Sequence, residues 1–201
     1  MPKPRVAVLI SGRGSNMEAL IKAARAPGYS AEIALVISNT AEAPGLEIAR
    51  GLGVEALAIS AKPYGKDREA HERAIDAVLV ERGIAIVCLA GYMRILTPYL
   101  VGRWAGRMLN IHPSLLPAYP GLDTHGRALA AGEPEHGCTV HLVTEVMDDG
   151  PVLAQATVPV LPGDDEDALA ARVLEQEHRI YPAALAELAR KIHLPEGGAK
   201  P

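Results

Sequence analysis

An amide and an imidazole stand two residues apart, at Asn110 and His112, directly after a short apolar run. In an extended segment, side chains two residues apart point to the same side. Prolines at positions 113, 117 and 120 then fix φ and keep the residue before each of them out of the helical region. A hydrogen-bond donor and a titratable ring on a stiff loop are typical of acid–base and oxyanion chemistry.

A carboxylate further along the chain, Asp148, completes this set if its turn folds against the same edge, because a carboxylate can orient or charge an imidazole. Each residue also has a plain structural interpretation. His112 can be a loop histidine bound to the backbone, Asn110 can cap a turn, and the run 148–150 (Asp-Asp-Gly) is an ordinary hairpin signal. His141 is interpreted as a packed or surface histidine. No serine or cysteine has the setting of a nucleophile elbow, which favours direct transfer without a covalent enzyme intermediate.

A glycine-containing loop follows the first apolar run and precedes a helical pattern. Gly12 and Gly14 permit a sharp turn, which leaves backbone N–H groups free at a helix start, where a phosphate can bind. These N–H groups belong to Gly14, Ser15 and Asn16. The alternative is a capping box between Ser15 and Glu18, with the glycines only making the turn. Met17 replaces the third glycine of the dinucleotide fingerprint and no Walker lysine is present, so hydrolysis of a nucleoside triphosphate is disfavoured.

The composition is that of a soluble globular protein: 49% of the 201 residues are hydrophobic, 22% are charged, and no apolar run approaches the roughly 18 residues of a membrane span. We predict one domain over residues 1–194 and a flexible tail over 195–201. A net charge of −4 argues against a nucleic-acid surface. Without a signal-peptide pattern the expected compartment is the cytoplasm. Cys88 and Cys138 are interpreted as reduced structural thiols, and the histidines lack zinc-ligand spacing, so no metal is expected.

Short β-type runs alternate with helical periodicity over the first two thirds of the chain, which predicts an open, mostly parallel, doubly wound α/β sheet. The predicted strands are residues 6–11, 33–38, 55–59, 84–90 and 108–111, and the predicted helices start near residue 17 and cover about 43–52, 66–82 and 124–131. Two further strands, 138–143 and 152–160, predict an antiparallel addition. Carboxylates at 164–167 open a last long helix, which Pro182 is expected to kink or end near Tyr181.

Five blocks of sequence together carry a family resemblance. They are LISGRGSN at 9–16, LAGYMRIL at 89–96, NIHPSLLP at 110–117, HGCTVH at 136–141 and QEH at 176–178. In this order, and over nearly the whole chain, the sequence resembles the phosphoribosylglycinamide formyltransferases, the folate-dependent glycinamide ribonucleotide transformylases of purine synthesis. The resemblance implies a Rossmann-like formyltransferase fold, and transfer of the formyl group of 10-formyltetrahydrofolate, the co-substrate, to the amine of glycinamide ribonucleotide.

The resemblance also implies roles for individual residues. The catalytic set would be Asn110, His112 and Asp148, with His112 as proton donor and Asp148 supporting its charge. The ribonucleotide would be bound by Gly14, Ser15 and Asn16 at its phosphate and by Glu177 at its ribose hydroxyls. The folate would be bound by Arg68, Met93, Arg94, Ile95, Leu96, Asn110, Val143 and Asp148. Both partners are small molecules, with no nucleic acid and no membrane involved, and both a monomer and a homodimer stay open.

Three rival functions are weighed against this one. A methionyl-tRNA formyltransferase would add a carboxyl-terminal RNA-binding domain, and only about fifty residues follow position 149. A formyltetrahydrofolate hydrolase would add an amino-terminal regulatory domain, whereas this sequence starts on its first strand. A catalytically silent nucleotide-binding module is the alternative from another class, since fold does not fix function. The presence of Asn110, His112 and Asp148 argues against it.

Overall fold

The computed structural model describes residues 2–192, so the tail predicted for 195–201 and the ends of the domain predicted for 1–194 lie outside the described residues. Seven strands form one sheet in the order β3-β2-β1-β4-β5-β6-β7. The strands are β1 (Arg5–Ile10), β2 (Glu32–Ser38), β3 (Glu55–Ala58), β4 (Ile86–Leu89), β5 (Met108–His112), β6 (Glu135–Leu142) and β7 (Val152–Pro159). Strands β1 to β5 pair in parallel, and β6 and β7 add antiparallel pairs. This confirms the predicted mostly parallel sheet with an antiparallel addition.

Helices cover both faces of the sheet. They are α1 (Ser15–Ala24), α2 (Pro44–Gly51), α3 (Arg68–Glu81), α4 (Pro98–Arg103), α5 (Thr124–Ala131) and α6 (Glu166–Lys191). Because alternate residues of a strand point to opposite faces, Val8 packs in one core cluster with residues of α1, α2 and α6, while Leu9 packs in a second cluster with residues of α3 and α4. The doubly wound architecture predicted from the alternating pattern is therefore confirmed.

Three local features differ from the sequence prediction. The six-residue helix α4 and a single 3₁₀ turn, Lys62–Tyr64, were not predicted, because both are too short to show a helical period. Of the two outcomes expected at Pro182, an end of helix α6 near Tyr181 is wrong, because the helix continues through Pro182 to Lys191. The helix face beyond the proline carries Leu185 and Ala189, which are buried in the core. Burial of that face outweighs the roughly 3 kcal/mol that an interior proline costs.

The order of the strands reverses between β1 and β4, which are neighbours in the sheet. In open α/β sheets, ligands bind beyond the carboxyl ends of the strands at such a point. The loops that follow the two strands are hydrogen-bonded to each other: the Ser11 N–H donates to the Gly91 carbonyl (3.2 Å) and the Met93 N–H donates to Ser11 Oγ (2.7 Å). From helix α6, the buried Tyr181 hydroxyl donates to the carbonyl of Leu89, the last residue of β4 (2.9 Å).

Candidate active site

Strand β5 positions Asn110 and His112 on one face, next to strand β6. Asn110 is paired with His141 and His112 with Thr139 in the antiparallel register. His112 is 6% exposed. Because a strand with neighbours on both sides has little freedom to shift, the two side chains have fixed positions relative to each other.

The proline-rich loop after β5 is held by side chains from outside it. The Thr139 hydroxyl donates to the Ser114 carbonyl (2.7 Å) and accepts from the Leu116 N–H (3.1 Å). Gln155 Nε2 donates to the Leu116 carbonyl (2.8 Å). Within the loop, the Ser114 hydroxyl donates to the Ala118 carbonyl (2.7 Å). The loop therefore combines restricted backbone angles with anchoring from two neighbouring strands.

Asp148 reaches this edge, as the sequence prediction required. Its Oδ2 lies 3.5 Å from His112 Nδ1 and accepts from the Gly121 N–H at 2.9 Å. Its Oδ1 lies 3.7 Å from His141 Nε2. Asp148 has φ 55°, in the left-handed region that aspartate and asparagine tolerate better than most residues. The structure thus brings the three predicted catalytic side chains, Asn110, His112 and Asp148, into one cluster.

Both ring nitrogens of His112 face oxygen atoms. Nδ1 faces the Asp148 carboxylate, and Nε2 lies 3.0 Å from the Tyr119 carbonyl oxygen. Since a carbonyl and a carboxylate only accept hydrogen bonds, the doubly protonated ring alone can donate to both. To donate to a ligand, one N–H of the His112 ring must therefore first turn away from the oxygen that it faces.

His141 also belongs to this cluster, which the sequence reasoning missed. Its Nδ1 lies 3.0 Å from the Leu142 carbonyl, so Nδ1 carries the proton and Nε2 accepts from Asn110 Nδ2 at 3.2 Å. Burial lowers the pKa of the His141 ring, which favours this neutral form. A neutral His141 fixes the amide of Asn110 and faces Asp148. Pairing of the predicted strands 108–111 and 138–143 in the right register would have placed His141 beside Asn110. Sequence periodicity alone does not determine that register.

The first loop forms a helix start without a side-chain cap. Gly14 takes the N-cap position of α1 with φ 74°, and no described side chain caps that end. Ser15 lies inside the helix and Glu18 pairs with Lys22 at 2.7 Å, so the alternative of a Ser15–Glu18 capping box is wrong. The first N–H groups of a helix have no intrahelical acceptor and carry the positive end of its dipole. This loop is therefore suited to bind an anion.

Asn16 and Glu177, both predicted to contact the ribonucleotide, bind each other. Asn16 Nδ2 donates to Glu177 Oε2 at 2.6 Å, and the two residues are 9% and 6% exposed. Burial raises the pKa of the Glu177 carboxyl, and the hydrogen bond from Asn16 opposes this to a smaller extent. The Asn16 Oδ1 atom is buried without a partner among the residues that the structure describes. A buried, unpaired amide oxygen next to a buried carboxylate marks a place where ligand hydroxyls can donate.

Four of the eight predicted folate residues surround a cleft of about 500 Å³. Its lining is Gly65, Lys66, Arg68, Met93, Arg94 and Ile95. Met93 and Ile95 are 64% and 65% exposed, so the cleft has exposed apolar groups of the kind that line ligand-binding grooves. Arg68 Nη1 donates to the Ile95 carbonyl at 3.3 Å. Leu96 and Val143 are instead half-buried against the second core cluster.

Within residues 2–192, no group of three or more His, Cys, Asp or Glu side chains is arranged to hold a metal ion. No helix in this part of the chain is long and apolar enough to cross a membrane.

The fold and the cluster of amide, imidazole and carboxylate define a class of protein. The chain belongs to the formyl transferase family, whose model matches residues 4–185. Among curated proteins, it is 48% identical over 184 residues to phosphoribosylglycinamide formyltransferase of Escherichia coli, an alignment that covers 92% of this chain and 86% of that protein. The resemblance drawn from the five sequence blocks is thereby confirmed.

Longer relatives and solved structures agree with this assignment. The chain is 50% identical over 197 residues to the human trifunctional purine biosynthetic protein adenosine-3, an alignment that covers 98% of this chain. It spans only 19% of that protein's length, and 14% of the corresponding protein of Drosophila pseudoobscura. The crystal structure of phosphoribosylglycinamide formyltransferase from Brucella melitensis has a TM-score of 0.90 and 55% identity, and covers 96% of this chain and 99% of that chain.

Proposed function

We propose that this protein transfers the formyl group of 10-formyltetrahydrofolate to the primary amine of glycinamide ribonucleotide in purine biosynthesis. The products are formylglycinamide ribonucleotide and tetrahydrofolate. The observation that carries the proposal is the contact of His112 with Asp148, beside Asn110, on the sheet of a formyl transferase. The names and high identities of the bacterial relatives support the choice of acceptor.

The amine attacks the formyl carbon and gives a tetrahedral intermediate whose oxygen is negative. Donors fixed in advance at that oxygen lower the barrier, because they need no reorganisation as charge develops. Asn110 Nδ2 and a protonated ring nitrogen of His112 are the donors in this proposal. His141 supports Asn110 by accepting one amide hydrogen at 3.2 Å, which orients the other towards the reacting centre.

Collapse of the intermediate moves protons as well as the formyl group. The attacking amine loses one proton, and the departing nitrogen of the folate gains one. His112 supplies the proton to the leaving nitrogen, and the proton that the amine loses returns to the His112 ring, each directly or through water. Asp148 stabilises the charged ring from 3.5 Å. No bond between enzyme and formyl group forms, in keeping with the absence of a nucleophile elbow in the sequence.

The two substrates use separate surfaces. The ribonucleotide phosphate binds the N–H groups of Gly14, Ser15 and Asn16 at the start of α1, and its ribose hydroxyls donate to Glu177. The folate lies along the cleft at Arg68 and residues 93–96, with further contacts at Asn110, Val143 and Asp148. The reaction uses these two small molecules and no metal, and we place it in the cytoplasm.

One assay tests the proposed function. Purified protein is mixed with 10-formyltetrahydrofolate, with and without glycinamide ribonucleotide, and the folate product is followed by absorbance. We expect product only when the ribonucleotide is present. Product without the amine would indicate a hydrolase, and ligand binding without any product would indicate a silent module; either result contradicts the proposal.

A further inference from the structure

A buried carboxylate holds the end of the segment that forms the folate cleft. Glu72, on α3, is 2% exposed. Its Oε1 accepts from the Thr97 N–H at 2.8 Å and its Oε2 accepts from the Thr97 hydroxyl. A buried carboxylate is costly unless donors satisfy it, so this double contact constrains both residues.

Thr97 occupies the N-cap position of α4 but does not cap it. Threonine at an N-cap ordinarily accepts from an N–H of its own helix, whereas here the hydroxyl is used on Glu72 and no described side chain caps α4. Thr97 directly follows residues 93–96. The Glu72 contact therefore fixes the point where this segment enters α4.

The rest of the segment has fewer anchors. At its start the Met93 N–H donates to Ser11 Oγ, and in its middle Arg68 reaches the Ile95 carbonyl through an exposed contact. The Met93 and Ile95 side chains are both about two thirds exposed, at 64% and 65%. The shape of the segment thus depends on how its two ends are fixed.

We infer that Glu72 is a positioning residue for the folate: through Thr97 it holds residues 93–96 in the shape that receives this ligand, without touching the ligand itself. The inference rests on the proposed function, because it assumes that the folate occupies the cleft at 93–96. It predicts that loss of the contact between Glu72 and Thr97 weakens binding of the folate and leaves binding of the ribonucleotide unaffected.

The chain contains a matched control one helical turn further along α3. Asp76 is also buried, at 6% exposure. It accepts from the Tyr99 hydroxyl (3.0 Å), Arg103 Nε (3.2 Å) and Trp104 Nε1 (2.9 Å). Asp76 therefore connects α3 to α4 and the residue after it, as Glu72 connects α3 to the start of α4. None of these three hydrogen bonds involves residues 93–96.

The experiment compares Thr97→Val, Thr97→Ser, Glu72→Ala and Asp76→Ala in steady-state kinetics with each substrate varied in turn. For Thr97→Val and Glu72→Ala we expect the KM for the folate co-substrate to rise about tenfold, as for loss of one charge-assisted hydrogen bond. The KM for glycinamide ribonucleotide should stay within about twofold in both. Thr97→Ser keeps the hydroxyl and should restore the KM for the folate. Asp76→Ala should lower Tm and leave the KM for the folate unchanged.

Three results would overturn the inference. They are an unchanged KM for the folate in Thr97→Val, an equal rise for both substrates, and a folate effect of Asp76→Ala as large as that of Glu72→Ala. Should Glu72→Ala fail to fold, the pair Thr97→Val and Thr97→Ser decides alone.

Amide hydrogen exchange at Met93 in the ligand-free protein gives a reading that needs no activity. Exchange should be faster in Thr97→Val than in the wild type, and equal exchange would count against the inference. If the wild-type protein shows no formyl transfer, the proposed function is refuted, which is a different outcome from failure of this inference.

Discussion

Strand β5 and the loop 143–149 both supply groups to the candidate site, but the protein holds them in different ways. Asn110 and His112 lie on a strand paired on both sides, and the loop that follows is anchored through Thr139. Asp148 lies in a loop whose Val146 side chain is 62% exposed, and its carboxylate is held by the Gly121 N–H. The proposed donors are thus built into the sheet, while the carboxylate proposed to support them is held by a few contacts.

This difference separates two kinds of mutational effect. Changes on β5 alter the groups that meet the formyl group in the proposed reaction, whereas changes on the 143–149 loop act through the charge of His112 or through ligand contact. A preorganised donor set needs a rigid support, because a displacement of about 1 Å can cost on the order of 100-fold in rate. In the proposed reaction the loop can be less rigid, since it also has to admit the folate.

The largest expected effect is that of His112→Ala. Removal of the ring eliminates both the oxyanion donor and the proton donor of the proposed reaction, so kcat should fall by about 10²- to 10⁴-fold. The phosphate loop does not involve this ring, and calorimetry should show unchanged binding of glycinamide ribonucleotide. Turnover within a few-fold of the wild type would remove His112 from the mechanism.

Asp148→Asn tests the loop side of the comparison. Asparagine tolerates φ near 55° and keeps an oxygen for the Gly121 N–H, so the backbone should stay in place while the charge beside His112 is lost. We expect kcat to fall by about 100-fold or more. Asp149→Asn, the same change at the exposed neighbour, is the matched control and should stay within about twofold. Equal effects of the two changes would show that general loop charge matters and not the contact with His112.

Stability should follow the same division. Thr139 is fully buried and its hydroxyl makes hydrogen bonds with Ser114, Leu116 and Gln155, so Thr139→Val should lower the free energy of unfolding by about 1–3 kcal/mol. Val146→Thr, at a 62% exposed position in the loop, should change it by less than about 0.5 kcal/mol. Urea denaturation measures both. Similar losses would mean that the loop is anchored as firmly as the strand.

The last expected effect is on the pH dependence of stability. Burial lowers the pKa of His141 from its ordinary value of 6.5. When the pH falls below 6.5, the ring is therefore protonated in the unfolded chain while it is still neutral in the folded protein. The contribution of His141 to stability is therefore fully present above pH 6.5. It is lost as the pH falls from 6.5 to the lowered pKa of the folded protein. His141→Gln should flatten the slope of unfolding free energy between pH 7 and 5 by up to about 1.4 kcal/mol per pH unit. An unchanged slope in denaturation at several pH values would contradict the neutral, buried His141.

The sequence predicts the site only as far as local spacing reaches. Asn110 and His112 are recognisable because a period of two and the following prolines define their geometry locally. Asp148 is predictable only on the condition that its loop folds back, and His141 was missed because the register between β5 and β6 is a tertiary property. The Ser15–Glu18 motif failed because Gly14 takes the N-cap, a choice that depends on the backbone of the whole turn.

The fold shows the same limit. The alternating pattern predicted the doubly wound sheet, because strands buried on both faces need continuous apolar runs that stand out in the sequence. Helix α6 continues through Pro182 because its far end is buried, and burial by distant segments is not encoded in the local pattern.

A double-mutant cycle on turnover tests the central claim, that His112 and Asp148 act as one unit. The kcat for formyl transfer is measured for the wild type, His112→Ala, Asp148→Asn and the double variant at saturating concentrations of both substrates. If Asp148 acts through the His112 ring, the double variant should be within about threefold of the slower single variant, because residues of one unit are not additive. Losses that multiply in the double variant would contradict the account.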